Sequence, residues 1–187
     1  AHANPHADHR HGHRAARAVE DARSAVAELI GAQASDVVFT SGATEANNLA
    51  LKGLLSPVGA RRRLWVSEIE HKSLREPARA LAIAGVSVSC VPVDPCGRID
   101  PASFEDLLLS VDATPGLIAL THGNNEIGTL QPIDALVPIA HRHGQAVHLD
   151  ASQSAAWEPL DVEALPCDLV CVSSHKLYGP AGIGALY

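Results

Sequence analysis

The chain has 187 residues, of which 47% are hydrophobic and only 3% aromatic, and its formal net charge is −7. This length and apolar content predict one folded domain with an aliphatic core, and they exclude a disordered chain. The negative charge argues against nucleic-acid or anionic-membrane partners, and no run of 18 apolar residues predicts a membrane span.

Helical and strand-like patterns alternate along the whole chain. Helices are predicted at 13–32, within 41–54, and at 73–85, 101–111 and 133–144. Strands are predicted at 36–40, 63–71, 86–93, 116–122, 145–152, 168–175 and 182–187. This alternation predicts an α/β fold, in which a mostly parallel sheet carries helices on both faces. Ligands of such sheets bind beyond the carboxyl ends of the strands.

The helix patterns also carry local signals. The first helix presents one apolar face and is predicted to stop at Gly31. Pro77 lies near the predicted start of the third helix, where proline is tolerated, and Asp100 is a candidate cap of the fourth. The residues of the predicted apolar face are Ala15, Val19, Ala22, Val26, Leu29 and Ile30.

Cysteine usage and the N-terminal sequence bear on the compartment. None of the four cysteines forms a Cys-x-x-Cys pair, and Cys171 falls in a predicted buried strand whereas Cys96 falls in a turn. No charged-then-apolar leader opens the chain, so we expect a reduced, cytoplasmic protein without disulfides. Histidines at 2, 6, 9, 11 and 13 fit no standard zinc spacing, and we predict no metal site. The basic run 61–63 after Gly59 is interpreted as a solvated loop.

Four predicted strands end in polar residues that a core would not select. These are Ser41–Glu45, His122–Glu126, Asp150 with Gln153 shortly after it, and Ser173–Lys176. Parallel strands bring their carboxyl ends to one edge of the sheet, so we expect the four clusters to converge there. Taken singly, each has an ordinary structural explanation as a loop, a helix cap or a surface lysine.

Together these residues have the chemistry that pyridoxal 5′-phosphate (PLP) requires. PLP needs a lysine amine to hold it as a Schiff base, for which Lys176 is the candidate. It needs an acid against its pyridine nitrogen, for which Asp150 is the candidate. It also needs a phosphate cradle of backbone N–H groups at a helix start, and "SGAT" at 41–44 precedes a predicted helix.

These motifs closely resemble the class V aminotransferase-like cysteine desulfurases of the NifS/IscS type, which are PLP enzymes of the aspartate aminotransferase-like fold type I. Any one matching stretch is moderately specific, whereas their common order and spacing along the chain are highly specific. The matching stretches lie at 4–12, 37–53, 68–74, 124–133, 147–154 and 173–187.

The resemblance implies roles for individual residues. Lys176 would hold PLP and act as a catalytic base, and Asp150 would pair with the pyridine nitrogen. Gln153 would hydrogen-bond the ring hydroxyl. His71 would stack over the ring and assist proton transfers as the second catalytic residue, and Asn125 would contact the cofactor and help to place the substrate.

The phosphate group has its own implied set of residues, which are Ala43, Thr44, Ser173 and His175. Ser174 stands where relatives often carry glycine, a mild departure from the family pattern in this loop.

The resemblance also implies that residues 1–187 form a PLP-binding large domain, incomplete at its N-terminal side and without the small C-terminal domain. In the family, that second part carries the persulfide-forming cysteine. None of Cys90, Cys96, Cys167 and Cys171 matches it by context, so we expect the chain alone to be inactive.

The implied activity converts L-cysteine to L-alanine and transfers sulfur to a protein persulfide for iron–sulfur cluster or thio-cofactor synthesis. The implied partners are a second copy of the chain and a sulfur-acceptor or scaffold protein. Two alternatives remain open. One is a selenocysteine lyase or another class V PLP enzyme, and the other is a non-catalytic fragment or interaction module.

Overall fold

The computed structural model describes residues 3–55, 58 and 61–187. Along these residues, helices and strands alternate as the sequence predicts. The helices are α1 (Arg10–Ile30), α2 (Ala43–Leu54), α3 (Lys72–Ile83), α4 (Pro101–Leu109) and α5 (Ile133–Arg142). The strands are β1 (Val38–Thr40), β2 (Arg63–Ser67), β3 (Ser87–Val91), β4 (Gly116–Thr121), β5 (Ala146–Asp150), β6 (Leu169–Ser173) and β7 (Gly184–Leu186).

The strands form one mostly parallel sheet in the order β1-β7-β6-β5-β4-β2-β3. Strands β6, β5, β4, β2 and β3 pair in parallel, whereas β7 is antiparallel to both of its neighbours, β1 and β6. The carboxyl ends of β1, β4, β5 and β6 therefore lie at the same edge, as the sequence analysis expects.

Helices cover both faces of the sheet, as predicted. On one face, α2 and α3 bury small and branched residues such as Ala50, Leu51 and Leu74 against the sheet. On the other face, α1, α4 and α5 contribute to a second cluster that includes Ile30, Phe104 and Leu136. The second cluster is larger, and its side chains are mostly aliphatic, in line with the low aromatic content.

The predicted helix signals have mixed outcomes. Gly31 closes α1 in the left-handed conformation, and Asp100 caps α4 by accepting a hydrogen bond from the Ser103 N–H at 2.8 Å, so both predictions are confirmed. Pro77 lies in the second turn of its helix, because the side chain of His71 caps α3 and starts it at Lys72, one residue before the predicted start.

The apolar face of α1 is present as predicted, but most of it is not buried. Only Gly12, Ala27 and Ile30 of this helix are buried, whereas Val19 and Leu29 are exposed. The apolar periodicity is present, but within the described residues only the last turns of α1 reach the core. A helical pattern defines a stripe of residues, and burial also requires a surface that faces it.

The basic run is not simply a solvated loop. Arg63 begins β2 and pairs with Asp112 at 2.9 Å. Its guanidinium carbon also lies 5.6 Å from the centroid of the Trp65 ring, a cation–π contact. Arg61 donates to the carbonyl of Gly116 at 2.9 Å. Gly59 lies outside the described residues.

Cysteine exposure follows the prediction. Cys171 is buried and Cys96 is exposed, and all four cysteines are free thiols. None of the described helices is both long and apolar enough to cross a membrane. Among the described residues, which do not include His2, no three His, Cys, Asp or Glu side chains converge as a metal site would require.

Candidate active site

A cavity of about 420 Å³ opens at the carboxyl edge of the sheet. Its volume lies in the range of small-molecule and cofactor sites. All nine residues to which the resemblance gives a role line this one cavity, although they come from five separate parts of the chain. They are Ala43, Thr44, His71, Asn125, Asp150, Gln153, Ser173, His175 and Lys176.

The start of α2 forms one wall of the cavity. Gly42 precedes the helix with a φ of 144°, a conformation that favours glycine, and it provides no side-chain cap. The Ser41 N–H is occupied by the carboxylate of Glu45 at 2.6 Å, but the N–H groups of Ala43 and Thr44 lie in the uncapped first turn. This backbone has the character of an anion site, because free N–H groups and the helix dipole both favour negative charge.

The packing of β7 against the start of α2 depends on a second glycine, Gly184. A Cβ atom on Gly184 of β7 would lie only 2.8 Å from the Cα of Gly42 and 2.7 Å from the Val172 carbonyl. Glycine at 184 therefore lets β7 pass directly against the start of α2.

The lysine follows β6 on a short 3-10 turn, Ser174–Lys176. Lys176 is exposed to the cavity, and no described residue forms an ion pair or hydrogen bond with its amine. Next to it, the hydroxyl of buried Ser173 lies 3.0 Å from His175 Nδ1. The turn thus presents an unpaired amine beside a hydroxyl and an imidazole.

Asp150 lies at the end of β5 and is only 5% exposed. Its Oδ2 accepts a hydrogen bond from Asn47 Nδ2 at 2.7 Å, and its Oδ1 accepts one from the Ser152 N–H at 3.0 Å. No cation among the described residues pairs with this carboxylate, which therefore keeps its charge available for a ligand.

His71 lies across the cavity at the start of α3. Its Nδ1 accepts a hydrogen bond from the Ser73 N–H at 3.1 Å and lies 2.8 Å from the Ser73 hydroxyl. Asn125 lies in the exposed loop after β4, and partly buried Gln153 follows β5. His71, Asn125 and Gln153 therefore line the same cavity as Asp150 and Lys176.

A second carboxyl group lies below the cavity. Glu70 is 4% exposed and accepts hydrogen bonds from the Ser67 hydroxyl at 2.6 Å and from the Thr121 N–H at 2.9 Å. Burial raises the pKa of Glu70 to about 7, although these hydrogen bonds act to lower it. The nearby charge of Asp150 adds to the rise.

These residues fit PLP as a cofactor. The uncapped start of α2, with the hydroxyls of Thr44 and Ser173, suits a phosphate group, and the buried carboxylate of Asp150 suits a protonated ring nitrogen. The unpaired amine of Lys176 suits a covalent link to an aldehyde carbon.

Comparisons with known proteins agree with this assembly. The sequence pattern of the family described as "Aminotransferase class-V" matches residues 1–187. The chain belongs to this family. Members of the class-V aminotransferase family are PLP enzymes, which agrees with the chemistry of the cavity.

The similar proteins have consistent names. A cysteine desulfurase IscS of Dictyoglomus turgidum is 39% identical over 185 residues, which are 98% of this chain and 46% of that protein. A mitochondrial cysteine desulfurase of Drosophila melanogaster is 41% identical over 186 residues, which are 98% of this chain and 40% of that protein. The chain thus spans less than half the length of these two relatives.

Solved structures share the fold over the whole chain. A structure described as "SspA in complex with cysteine" has a TM-score of 0.92 and 37% identity, covering 100% of this chain and 53% of that one. A "NIFS-like protein" has a TM-score of 0.93 and 34% identity, covering 99% and 51%. The mostly parallel sheet between two helical layers is accordingly the fold type I arrangement, and that prediction is confirmed.

Sequence reasoning missed several groups at this class-V site. Asn47 and Glu70 are buried beneath it, and Ser73 links Asn47 to His71. The apolar spacing of α2 at Ala46 and Ala50 could have revealed that Asn47 lies on the buried face. Conversely, His122 belongs to a predicted polar cluster but is buried outside the cavity lining, where burial lowers its pKa.

Proposed function

We propose that this chain is the PLP-binding large domain of a cysteine desulfurase. The observation that carries the proposal is the assembly of Lys176, Asp150, His71 and an uncapped helix start around one cavity. Support for the reaction comes from relatives that are named cysteine desulfurases and from a similar structure described as a complex with cysteine.

The proposed reaction converts L-cysteine and an acceptor thiol to L-alanine and an acceptor persulfide. The sulfur atom leaves cysteine and joins the acceptor sulfur, and a proton takes its place on carbon. PLP, when bound, supplies a protonated ring that accepts electron density from the substrate's Cα. The chain's own residues bind that ring and move the protons.

Each residue has a distinct part in this proposal. The N–H groups of Ala43 and Thr44, with Ser173 and His175, hold the phosphate, and Gln153 binds the ring hydroxyl. Asp150 would hold a proton on the ring nitrogen, because its carboxylate is buried at the cavity and has no cation partner among the described residues.

Lys176 and His71 flank the cavity and carry the proton transfers. The amine of Lys176 is free of partners among the described residues, so it can bind PLP and afterwards act as a base at Cα. Asn125, on the exposed loop after β4, helps to place the substrate.

The thiol that takes the sulfur does not come from this cavity. Cys167 and Cys171 are buried, and neither Cys90 nor Cys96 is among the residues that line the site. Burial raises the pKa of Cys167 to about 12, so its thiol is a poor nucleophile. The proposal therefore assigns the acceptor thiol to another part of the protein or to a partner.

A homodimer, a sulfur-acceptor or scaffold protein, and a cytoplasmic location belong to the same proposal. Trp157 and Tyr178 support an interface beside Lys176, because these two aromatic side chains contact each other yet are 69% and 86% exposed. The four free thiols support a reducing compartment.

Absorption spectroscopy of the protein with PLP tests the proposal. We expect a near-visible band of bound PLP that changes when L-cysteine is added and changes much less with L-serine. Lys176→Ala should abolish the cysteine-dependent change, because this variant lacks the amine that is proposed to bind PLP and to transfer protons.

Lys72→Ala is the matched control, because Lys72 is an exposed lysine at the start of α3 that does not line the cavity. This variant should behave as the wild type. A cysteine-dependent change that survives in Lys176→Ala would contradict the proposed role of Lys176, and equal responses to both amino acids would contradict cysteine as the substrate.

A further inference from the structure

A buried amide connects two sides of the candidate site. Asn47 on α2 has no exposed surface, yet it has four hydrogen-bond contacts from distant parts of the chain. Its Nδ2 donates to Asp150 Oδ2 at 2.7 Å and to Ser73 Oγ at 2.9 Å. Its Oδ1 accepts from His148 Nε2 at 2.7 Å and from Cys171 Sγ at 3.1 Å.

These contacts define the orientation of the amide. A carboxylate only accepts hydrogen bonds, so the atom that faces Asp150 has to be the NH₂ group of Asn47. Burial lowers the pKa of His148 to about 4 and raises that of Cys171, so both are neutral and can donate to Oδ1. Both donors and both acceptor positions of Asn47 are then occupied, which is the full capacity of an amide.

Ser73 extends this arrangement to His71. The Ser73 hydroxyl accepts from Asn47, so its own proton is free to point towards His71 Nδ1, 2.8 Å away. The Ser73 N–H also donates to that nitrogen at 3.1 Å. With two donors at Nδ1, the neutral ring carries its proton on Nε2.

We propose that Asn47 is a positioning residue that orients the Asp150 carboxylate and, through Ser73, fixes His71 as its Nε2–H form. The inference rests on the proposed function for its meaning, since Asp150 and His71 are the groups assigned to the ring nitrogen and to proton transfer. Asn47 itself is not among the residues that line the cavity.

An amide suits this position better than the alternatives. Aspartate at 47 would put a second carboxylate 2.7 Å from Asp150, and one of the two would have to take up a proton. Leucine would leave Asp150 and His148 without their partner in a buried place. Lysine or arginine would neutralise Asp150 and compete with the ring nitrogen. The neutral NH₂ group of asparagine holds Asp150 by a hydrogen bond without neutralising its charge.

The first test is a double-mutant cycle on PLP affinity, measured by the quenching of tryptophan fluorescence. Asn47→Leu should weaken PLP binding by about tenfold to a hundredfold, the loss typical of a hydrogen bond to a charged group. Asp150→Asn should also weaken it. If Asn47 acts through Asp150, the double variant should lose no more than the weaker-binding single variant.

Additive losses would overturn the positioning role, since they would show that Asn47 supports PLP binding independently of Asp150. Asn47→Ala, which removes the same amide with a smaller apolar side chain, serves in the same cycle if the leucine variant does not fold. Asn48→Ala is the matched control on the next position of α2, because Asn48 donates only to the carbonyl of Thr44 and should leave affinity unchanged within about twofold.

The second test reads His71 directly and needs no cofactor. In protein labelled with ¹⁵N-histidine, two-dimensional NMR should show His71 with a proton on Nε2 and none on Nδ1. Ser73→Ala should move the Nδ1 resonance, because one of its two donors is gone. An unchanged His71 resonance, or a proton on Nδ1 in the wild type, would overturn the link through Ser73.

The two tests separate this inference from the proposed function. If the wild-type protein does not bind PLP, the proposed function fails, whereas the His71 resonances of the wild type, Ser73→Ala and Asn48→Ala still decide whether the link exists.

Discussion

The charged side chains at the two edges of the parallel sheet are held in different ways. At the amino edge, acidic side chains contact basic ones, as in Arg63–Asp112 and His141–Asp168, both at 2.9 Å. At the carboxyl edge, Asp150 is held by an amide and a backbone N–H, and Lys176 has no ionic partner among the described residues.

Of the two edges, this difference makes the carboxyl edge the better suited to ligand chemistry. A surface ion pair satisfies both of its members and contributes little to stability. A buried carboxylate that neutral donors hold retains its charge in a place of low dielectric, where it acts strongly on a bound group. The comparison therefore predicts that the same substitution has different consequences at the two edges.

The largest effect is expected from removing the charge of Asp150. Asp150→Asn retains the size of the side chain but loses the charge that would hold a proton on the ring nitrogen, so PLP affinity should fall about tenfold to a hundredfold. Asp168→Asn is the matched control, because Asp168 precedes β6 at the opposite edge and pairs with His141. Equal PLP affinities of Asp150→Asn and Asp168→Asn would contradict the claim that only the carboxylate at the carboxyl edge supports PLP binding.

A separate effect, on the pH dependence of stability, is expected from Glu70. Because its pKa rises from 4.5 to about 7 on folding, the folded state retains a proton between these values that the unfolded state loses. The free energy of unfolding should therefore decrease as the pH rises through this range, by about 3 kcal/mol from this group alone.

Glu70→Gln should remove that part of the decrease, which chemical denaturation at pH 5 and pH 8 can measure. The variant should gain stability relative to the wild type at pH 8 but not at pH 5. A difference between variant and wild type that is the same at both pH values would show that the Glu70 carboxyl does not titrate in this range.

The smallest effect is expected at the amino edge. Asp112→Ala removes the exposed partner of Arg63, and we expect almost no change in Tm because solvent screens this pair. Arg63 also contacts Trp65, so its side chain retains a partner in the variant. A decrease in Tm as large as that caused by Asn47→Leu would contradict the contrast between the two edges.

The sequence predicts the cavity better than the interactions beneath it. Asp150 and Lys176 are predictable because each follows a run of strand-forming residues, and parallel strands bring their carboxyl ends together. The resemblance then supplies roles for residues such as His71 and Gln153 that composition and spacing alone do not give.

The supporting residues are harder to predict because their contacts are distant in sequence. Asn47 reaches Ser73 and Asp150, which are 26 and 103 residues away, and an asparagine on a helix is more often exposed. The opposite case is that of Val19 and Leu29, which follow an apolar pattern but are exposed. In both cases, burial depends on which helices and strands pack against each other, and the local pattern of apolar residues does not contain this information.

The most direct test of the central claim is to find where PLP attaches. The protein would be incubated with PLP, reduced with borohydride, digested and analysed by mass spectrometry. Besides Lys176, the chain has the exposed lysines Lys52 and Lys72, neither of which lines the cavity. We predict a single major adduct at Lys176. A major adduct at Lys52 or Lys72, or none at Lys176, would contradict the assignment of the carboxyl-edge cavity as a PLP site.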